Sequence, residues 1–140
     1  MGEDMPELAL IATGTGCPYI LDFYEFVVGR GVELRSPVHI HFSTCSVELF
    51  QYFTDVTCRE CIPNLRVNAH LTRHGKVRYT PNPAKSRDTR IGRMSFEEIL
   101  SGLHHDSHVY FCGSPALQKR VRSLCAQHAL LFHEGHAFHT

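Results

Sequence analysis

The chain predicts an α/β fold, a three-layer domain with a five-stranded parallel sheet and helices on both faces. Three observations carry this expectation. Short apolar runs of strand length alternate with longer stretches at helical spacing along the whole chain. A glycine-rich turn, Thr13-Gly14-Thr15-Gly16-Cys17-Pro18, sits directly between the first strand and the first helix. The length of 140 residues favours one domain over 1–140.

Leu8-Ala9-Leu10-Ile11-Ala12 is the first buried strand. A helical pattern follows in Ile20, Leu21, Phe23, Tyr24, Phe26 and Val27, with Gly29 and Gly31 as its stop. Val38-His39-Ile40-His41-Phe42 is the second strand, closed by Ser43-Thr44-Cys45-Ser46, and a helix runs from about Val47 to Val56. Leu65, Val67, Ala69 and Leu71 alternate onto one face of a third strand. Residues 76–90 hold five basic side chains and Pro81-Asn82-Pro83, and they read as a long polar loop.

Ser95-Phe96-Glu97-Glu98 reads as an N-cap with an acidic first turn, opening a helix to about Leu103. His108-Val109-Tyr110-Phe111-Cys112 is the fourth strand, closed by Gly113-Ser114-Pro115. A helix over 116–129 and a last strand, Leu130-Leu131-Phe132-His133, complete the pattern. A parallel sheet binds ligands at the carboxyl ends of its strands. The informative turns are therefore 13–18, 43–46, 72–75 with 90–93, and 112–115.

Fourteen Lys and Arg balance fourteen Asp and Glu, so the formal charge is zero, which argues against a nucleic-acid or anionic-membrane binder. No run of 18 apolar residues occurs, so no direct membrane span is expected. The acidic start, Met1-Gly2-Glu3-Asp4, is unlike a signal or transit peptide, which points to a cytoplasmic protein or to the cytosolic face of a membrane. Without a secretory signal, the six cysteines are expected to be reduced, structural thiols. Cys58 and Cys61 form one C-x-x-C, but the second pair that a structural zinc site needs is missing. Eleven histidines, among them His39 and His41 on one side of a strand, lack the H-E-x-x-H or deaminase spacing, so no metal site is assigned.

In the glycine turn, Gly14 and Gly16 let backbone approach a ligand, Pro18 suits a first helical turn, and the helix N-terminus offers N–H groups to a phosphate. The turn is neither G-x-G-x-x-G nor a Walker loop, which excludes ATP or GTP hydrolysis of the P-loop kind.

Taken in order, these motifs resemble the NAD(P)H-binding domain of the ferredoxin–NADP reductase superfamily, closest to its ferric reductase and NADPH oxidase branch. The resemblance spans 8–138. It rests on Ala12-Thr13-Gly14-Thr15-Gly16-Cys17-Pro18, on Leu71-Thr72-Arg73, on Ile91-Gly92-Arg93, on Val109-Tyr110-Phe111-Cys112-Gly113-Ser114-Pro115-Ala116-Leu117, and on the terminal aromatic Phe138. It implies that Thr13, Gly14, Thr15, Gly16 and Pro18 hold the pyrophosphate and nicotinamide side. Thr44, Ser46, Thr72, Arg73 and Arg93 would frame the rest of the nucleotide. Cys112 and Gly113 would lie beside the nicotinamide where hydride leaves, with Cys112 as a packing and orienting group, and Phe138 would cover a flavin face.

Three positions depart from the family pattern. Met94 replaces the proline of Gly-Arg-Pro, Ser114 replaces the proline of Cys-Gly-Pro, and Thr44-Cys45-Ser46 stands where NADPH-specific members place an arginine. NADPH or NADH thus remains open, with Lys85, Arg87 and Arg90 as further candidates for contact. The implied reaction is hydride transfer from NAD(P)H to FAD. The flavin-binding domain is absent from these residues, so FAD is expected from another domain or chain, with a flavin-domain partner. Two other readings stay open: a non-catalytic nucleotide-binding or interaction module that kept the fold, and a His/Cys metal-binding protein.

Overall fold

The computed structural model describes residues 6–14, 17–57, 62–72, 87–91 and 94–134. Its elements, in order, are β1 (Leu8–Thr13), α1 (Cys17–Arg30), β2 (Val38–Thr44), α2 (Val47–Thr57), β3 (Leu65–Leu71), β4 (Arg87–Ile91), α3 (Phe96–Ser101), β5 (His108–Cys112), α4 (Pro115–Gln127) and β6 (Leu131–Glu134). The six strands form one sheet in the order β4-β3-β2-β1-β5-β6, with every neighbouring pair parallel. The three-layer α/β architecture is as the sequence predicts. The strand number is six rather than five, because β4 lies within the stretch read as a polar loop.

β1 and β5 divide their side chains between two cores, one on each face of the sheet. Leu10 and Ala12, Val38, Ile40 and Phe42, and Leu65, Val67, Ala69 and Leu71 pack with Tyr19, Ile20 and Tyr24 of α1 and Phe50, Phe53 and Val56 of α2. Ala9 and Ile11, with Val109 and Phe111, pack on the other face against Phe96 and Leu100 of α3 and Val121, Leu124 and Cys125 of α4. Burying Phe42, Phe50, Phe53 and Phe111 stabilises the layers by roughly 1.5–3 kcal/mol per side chain.

Helix ends follow local chemistry. Gly29 lies inside α1, and Gly31 alone ends it: at φ +61° its N–H donates to the Val28 carbonyl while Val32 N–H donates to Val27. This is a Schellman closure, which requires the left-handed conformation that glycine adopts freely. Ser95 and Ser114 cap α3 and α4 by accepting from the N–H groups of Glu98 and Leu117, both at 3.3 Å. Ser114 therefore serves as the cap of α4, and Pro115 opens the helix behind it. No helix among the described residues is long and apolar enough to cross a membrane.

Candidate nucleotide-binding cleft

β1 pairs with β2 on one side and β5 on the other, so the chain's winding direction reverses between β1 and β5. No crossover covers the carboxyl end of that junction, which leaves a crevice there. A cleft of about 480 Å³ opens at this end of the sheet. One wall consists of strand termini: Thr13 and Gly14 at the end of β1, Ser43, Thr44 and Cys45 at the end of β2, and Thr72 after β3. The opposite wall is apolar and comprises Met94, Phe96 and Leu117 at the openings of α3 and α4. Hydroxyls and backbone amides thus face hydrocarbon across one space, with no charged side chain among the described lining residues.

The backbone of this wall is tied together strand by strand. Gly14 N–H donates to the Ser43 carbonyl at 2.8 Å, and Thr72 N–H donates to the Thr44 carbonyl at 2.9 Å. Gly14 adopts φ +65°, which lets the chain turn out of β1 without steric cost. Its amide is consumed in that turn, so its role is to shape the loop rather than to donate to a phosphate. The Thr44 hydroxyl accepts from Ser46 N–H at 3.1 Å, and the Ser46 hydroxyl accepts from Leu49 N–H at 3.2 Å as the cap of α2. Both oxygens keep an O–H that can donate.

The other predicted positions distribute as follows. Thr13, Gly14, Thr44 and Thr72 line the cleft. Ser46 caps α2 beside it, and Pro18 stands exposed in the first turn of α1. Gly113 packs directly behind Thr13: a methyl group there would overlap the Thr13 hydroxyl and come within 2.7 Å of Phe111 Cζ. Its lack of a side chain is thus required by the protein's own packing. Cys112 is half-buried against the core under α1, and burial pushes its thiol pKa up, which keeps it protonated and unsuited to act as a nucleophile. Thr15, Gly16, Arg73, Arg93 and Phe138 lie outside the described residues, as do Cys58, Cys61 and Lys85. Arg87 and Arg90 lie on β4.

Sequence reasoning did not single out Phe96 or Tyr19 for the site, and it reached Ser43 and Leu117 only as members of the 43–46 turn and the 109–117 motif. Phe96 and Leu117 read as ordinary core positions. Phe96 is held edge-on by Phe111, with ring centroids 5.9 Å apart at 85°, and this seats it at the cleft. Tyr19 is buried to 1% exposure beneath the β1–β5 junction, and burial pushes its phenol pKa far up, with nearby Cys112 adding to the shift. Its hydroxyl donates to strand carbonyls on both sides of the crevice.

His39 and His41 share one side of β2, as expected, and their rings stack at 6.5 Å and 19°. His39 Nε2 is engaged by the Glu7 carboxylate at 2.7 Å. Among the described residues, no group of three or more His, Cys, Asp and Glu side chains is gathered as metal ligands.

The sheet order and the position of the cleft define the class: a ferredoxin reductase-like α/β fold. Among solved structures, the chain is similar to the flavohemoglobin of Malassezia yamatoensis, whose crystal structure contains bound FAD and heme. The TM-score is 0.62 at 18% identity, over 96% of this chain and 33% of that one, so the chain spans about a third of the flavohemoglobin's length. At that identity the likeness is one of fold. No protein-family model and no curated protein matches the sequence.

Proposed function

We propose that this chain binds a nicotinamide dinucleotide, NADH or NADPH, and presents it for hydride transfer to FAD held on another domain or chain. The observation that carries this reading is the two-walled cleft at the β1–β5 crevice. Hydroxyls and backbone on one side suit ribose and phosphate oxygens, and the Met94, Phe96 and Leu117 wall suits a flat adenine ring. The motif order of the sequence supports the same reading and favours the ferric reductase and NADPH oxidase branch. The fold shared with a flavohemoglobin that carries FAD supports the nucleotide reading alone and does not bear on the branch.

On this reading Gly14 shapes the turn, Thr13, Thr44 and Thr72 donate hydroxyl hydrogen bonds, and Leu117 with Phe96 excludes water from the base. Gly113 brings β5 against Thr13, so that Cys112 borders the reacting end and orients the ring by contact. When bound, NAD(P)H supplies a hydride, and FAD accepts it. The protein contributes alignment and the exclusion of water. The final electron acceptor and the flavin-domain partner belong to the rest of the assembly.

Calorimetry with NADH, NADPH and ADP-ribose tests the proposal. Binding is expected for all three, and Leu117→Trp, which fills the apolar wall, should weaken each by about tenfold or more, corresponding to about 1.4 kcal/mol. Absence of binding at millimolar nucleotide would overturn it. Bleaching of a flavin-domain partner by NAD(P)H in the presence of this chain then tests the hydride step.

A further inference from the structure

The imidazoles of His108 on β5 and His133 on β6 meet edge to edge, and nothing in the nucleotide reading uses them. Tyr110 is paired with His133 across the β5–β6 ladder, and His108 is paired with Leu131, so the three rings project from the same face of the sheet. His108 Nδ1 lies 2.9 Å from His133 Nε2, with ring planes 15° apart and centroids separated by 5.1 Å. Tyr110 stacks on the flat face of His133 at 4.5 Å and 17°, which holds that ring's plane and leaves its nitrogen edge free. His108 is exposed, so solvent and ions reach the pair.

His39 and His41 on β2, and His104 and His105 before β5, differ. His39 Nε2 is engaged by Glu7, and the His39 and His41 rings lie 6.5 Å apart. His104 Nδ1 meets the His105 carbonyl at 2.7 Å, and His105 Nδ1 meets Asp106. At 108 and 133 alone among these, two ring nitrogens on separate strands converge on each other.

We propose that His108 Nδ1 and His133 Nε2 form a two-histidine site for a divalent transition-metal ion, Cu(II) by preference, with water completing the coordination. In the metal-free neutral pair, one bridging N–H proton is shared between the rings. Moving it to that ring's outer nitrogen gives two neutral imidazoles with both inner lone pairs free, so no net proton is lost. With metal–nitrogen bonds of about 2.0–2.1 Å, ligands at a right angle lie about 2.9 Å apart, whereas tetrahedral ligands lie about 3.3–3.4 Å apart. The observed 2.9 Å spacing matches the right-angle case, the tetragonal N,O geometry of Cu(II). An in-plane swing of both rings, which keeps the face of His133 against Tyr110, aims the lone pairs at one ion. Copper(II) also heads the affinity order for such nitrogen sites.

The test is titration of the tag-free, chelator-treated chain with Cu(II), followed by calorimetry and electron paramagnetic resonance. One tight equivalent is expected, with hyperfine structure from two imidazole nitrogens. His108→Gln and His133→Gln should each weaken it by roughly tenfold or more, and the double variant should remove it, whereas His41→Gln should leave it unchanged. Circular dichroism checks that the variants fold. Paramagnetic broadening in the unaltered chain gives a second reading that needs no variant, and it should centre on 108–110 and 131–133. Retention of the same equivalent by the folded double variant overturns the proposal, as does broadening confined to other histidines or the absence of a tight equivalent.

Discussion

The Tyr19 hydroxyl donates to the carbonyl of Tyr110 at 2.9 Å, ninety-one residues along the chain, and lies 3.3 Å from the carbonyl of Ile11. One side chain from the first turn of α1 thus bridges β1 and β5, the paired strands between which the winding direction reverses. Removing the donor leaves buried strand carbonyls short of a partner. Tyr19→Phe should therefore cost about 1 kcal/mol, read as a lower midpoint in urea denaturation with an unchanged slope. A variant as stable as the parent would mean that the hydroxyl carries no structural weight.

Gly113 and Thr13 set the crevice from its other side. Gly113→Ala places a methyl group against the Thr13 hydroxyl and the Phe111 ring. The strain should cost about 1–3 kcal/mol. By displacing Thr13 it should also weaken nucleotide binding, whereas Gly29→Ala, with open space around it, should leave the cleft intact. Thermal melting and calorimetry on the two variants check the contrast.

Ala129 closes α4 in the conformation usually reserved for glycine. At φ +58° it follows the cap residue His128, and Leu130 N–H donates back to the Cys125 carbonyl at 2.9 Å. The left-handed conformation costs a non-glycine residue about 1–2 kcal/mol, only partly offset by the greater entropy that glycine loses on folding. Ala129→Gly should thus stabilise the protein by about 0.5–1 kcal/mol. A drop in melting temperature would show that the methyl group makes contacts worth more than the strain.

Glu7 links three segments at the amino end of the sheet. Its carboxylate meets His39 Nε2 at 2.7 Å and accepts from His104 N–H at 3.1 Å, and its own N–H donates to Ser107 at 2.8 Å. Burial pushes its pKa up, but the hydrogen bonds from His39 and His104 outweigh this and hold it below the ordinary 4.5. A carboxylate with a lowered folded pKa adds stability above the unfolded value, and that stability is lost as pH falls through the folded one. Glu7→Ala should be less stable than the parent by about 1.5–3 kcal/mol at neutral pH, with the gap closing below pH 4.5. Melting curves from pH 3 to 7 would expose a constant gap, which would contradict the linkage.

Much of the molecule was legible in residue order alone. The apolar runs at 8–12 and 108–112 declare strands packed on both faces, and the alternation at 38–42 and 65–71 declares strands with one apolar face. Thr13, Gly14, Thr44 and Thr72 were legible as residues that line the cleft, because the carboxyl ends of parallel strands lie on one side of the sheet. β4 was not, since Arg-Asp-Thr-Arg-Ile has a single apolar residue and follows Pro81 and Pro83. It is a strand by virtue of pairing with β3, from Val67↔Arg87 to Leu71↔Ile91, at a sheet edge where polar residues are tolerated.

What residue order determined by itself was therefore the alternation of elements, the turns that end them and the strand tips where a ligand would sit. Tertiary structure alone decided which helices lean over those tips, and so made Met94, Phe96 and Leu117 a wall and Tyr19 a brace. It also brought His108 against His133. The physical reason is range. Periodicity and caps act within a few residues, whereas a wall, a brace and a pair of facing imidazoles exist only when segments 25 to 91 residues apart pack together.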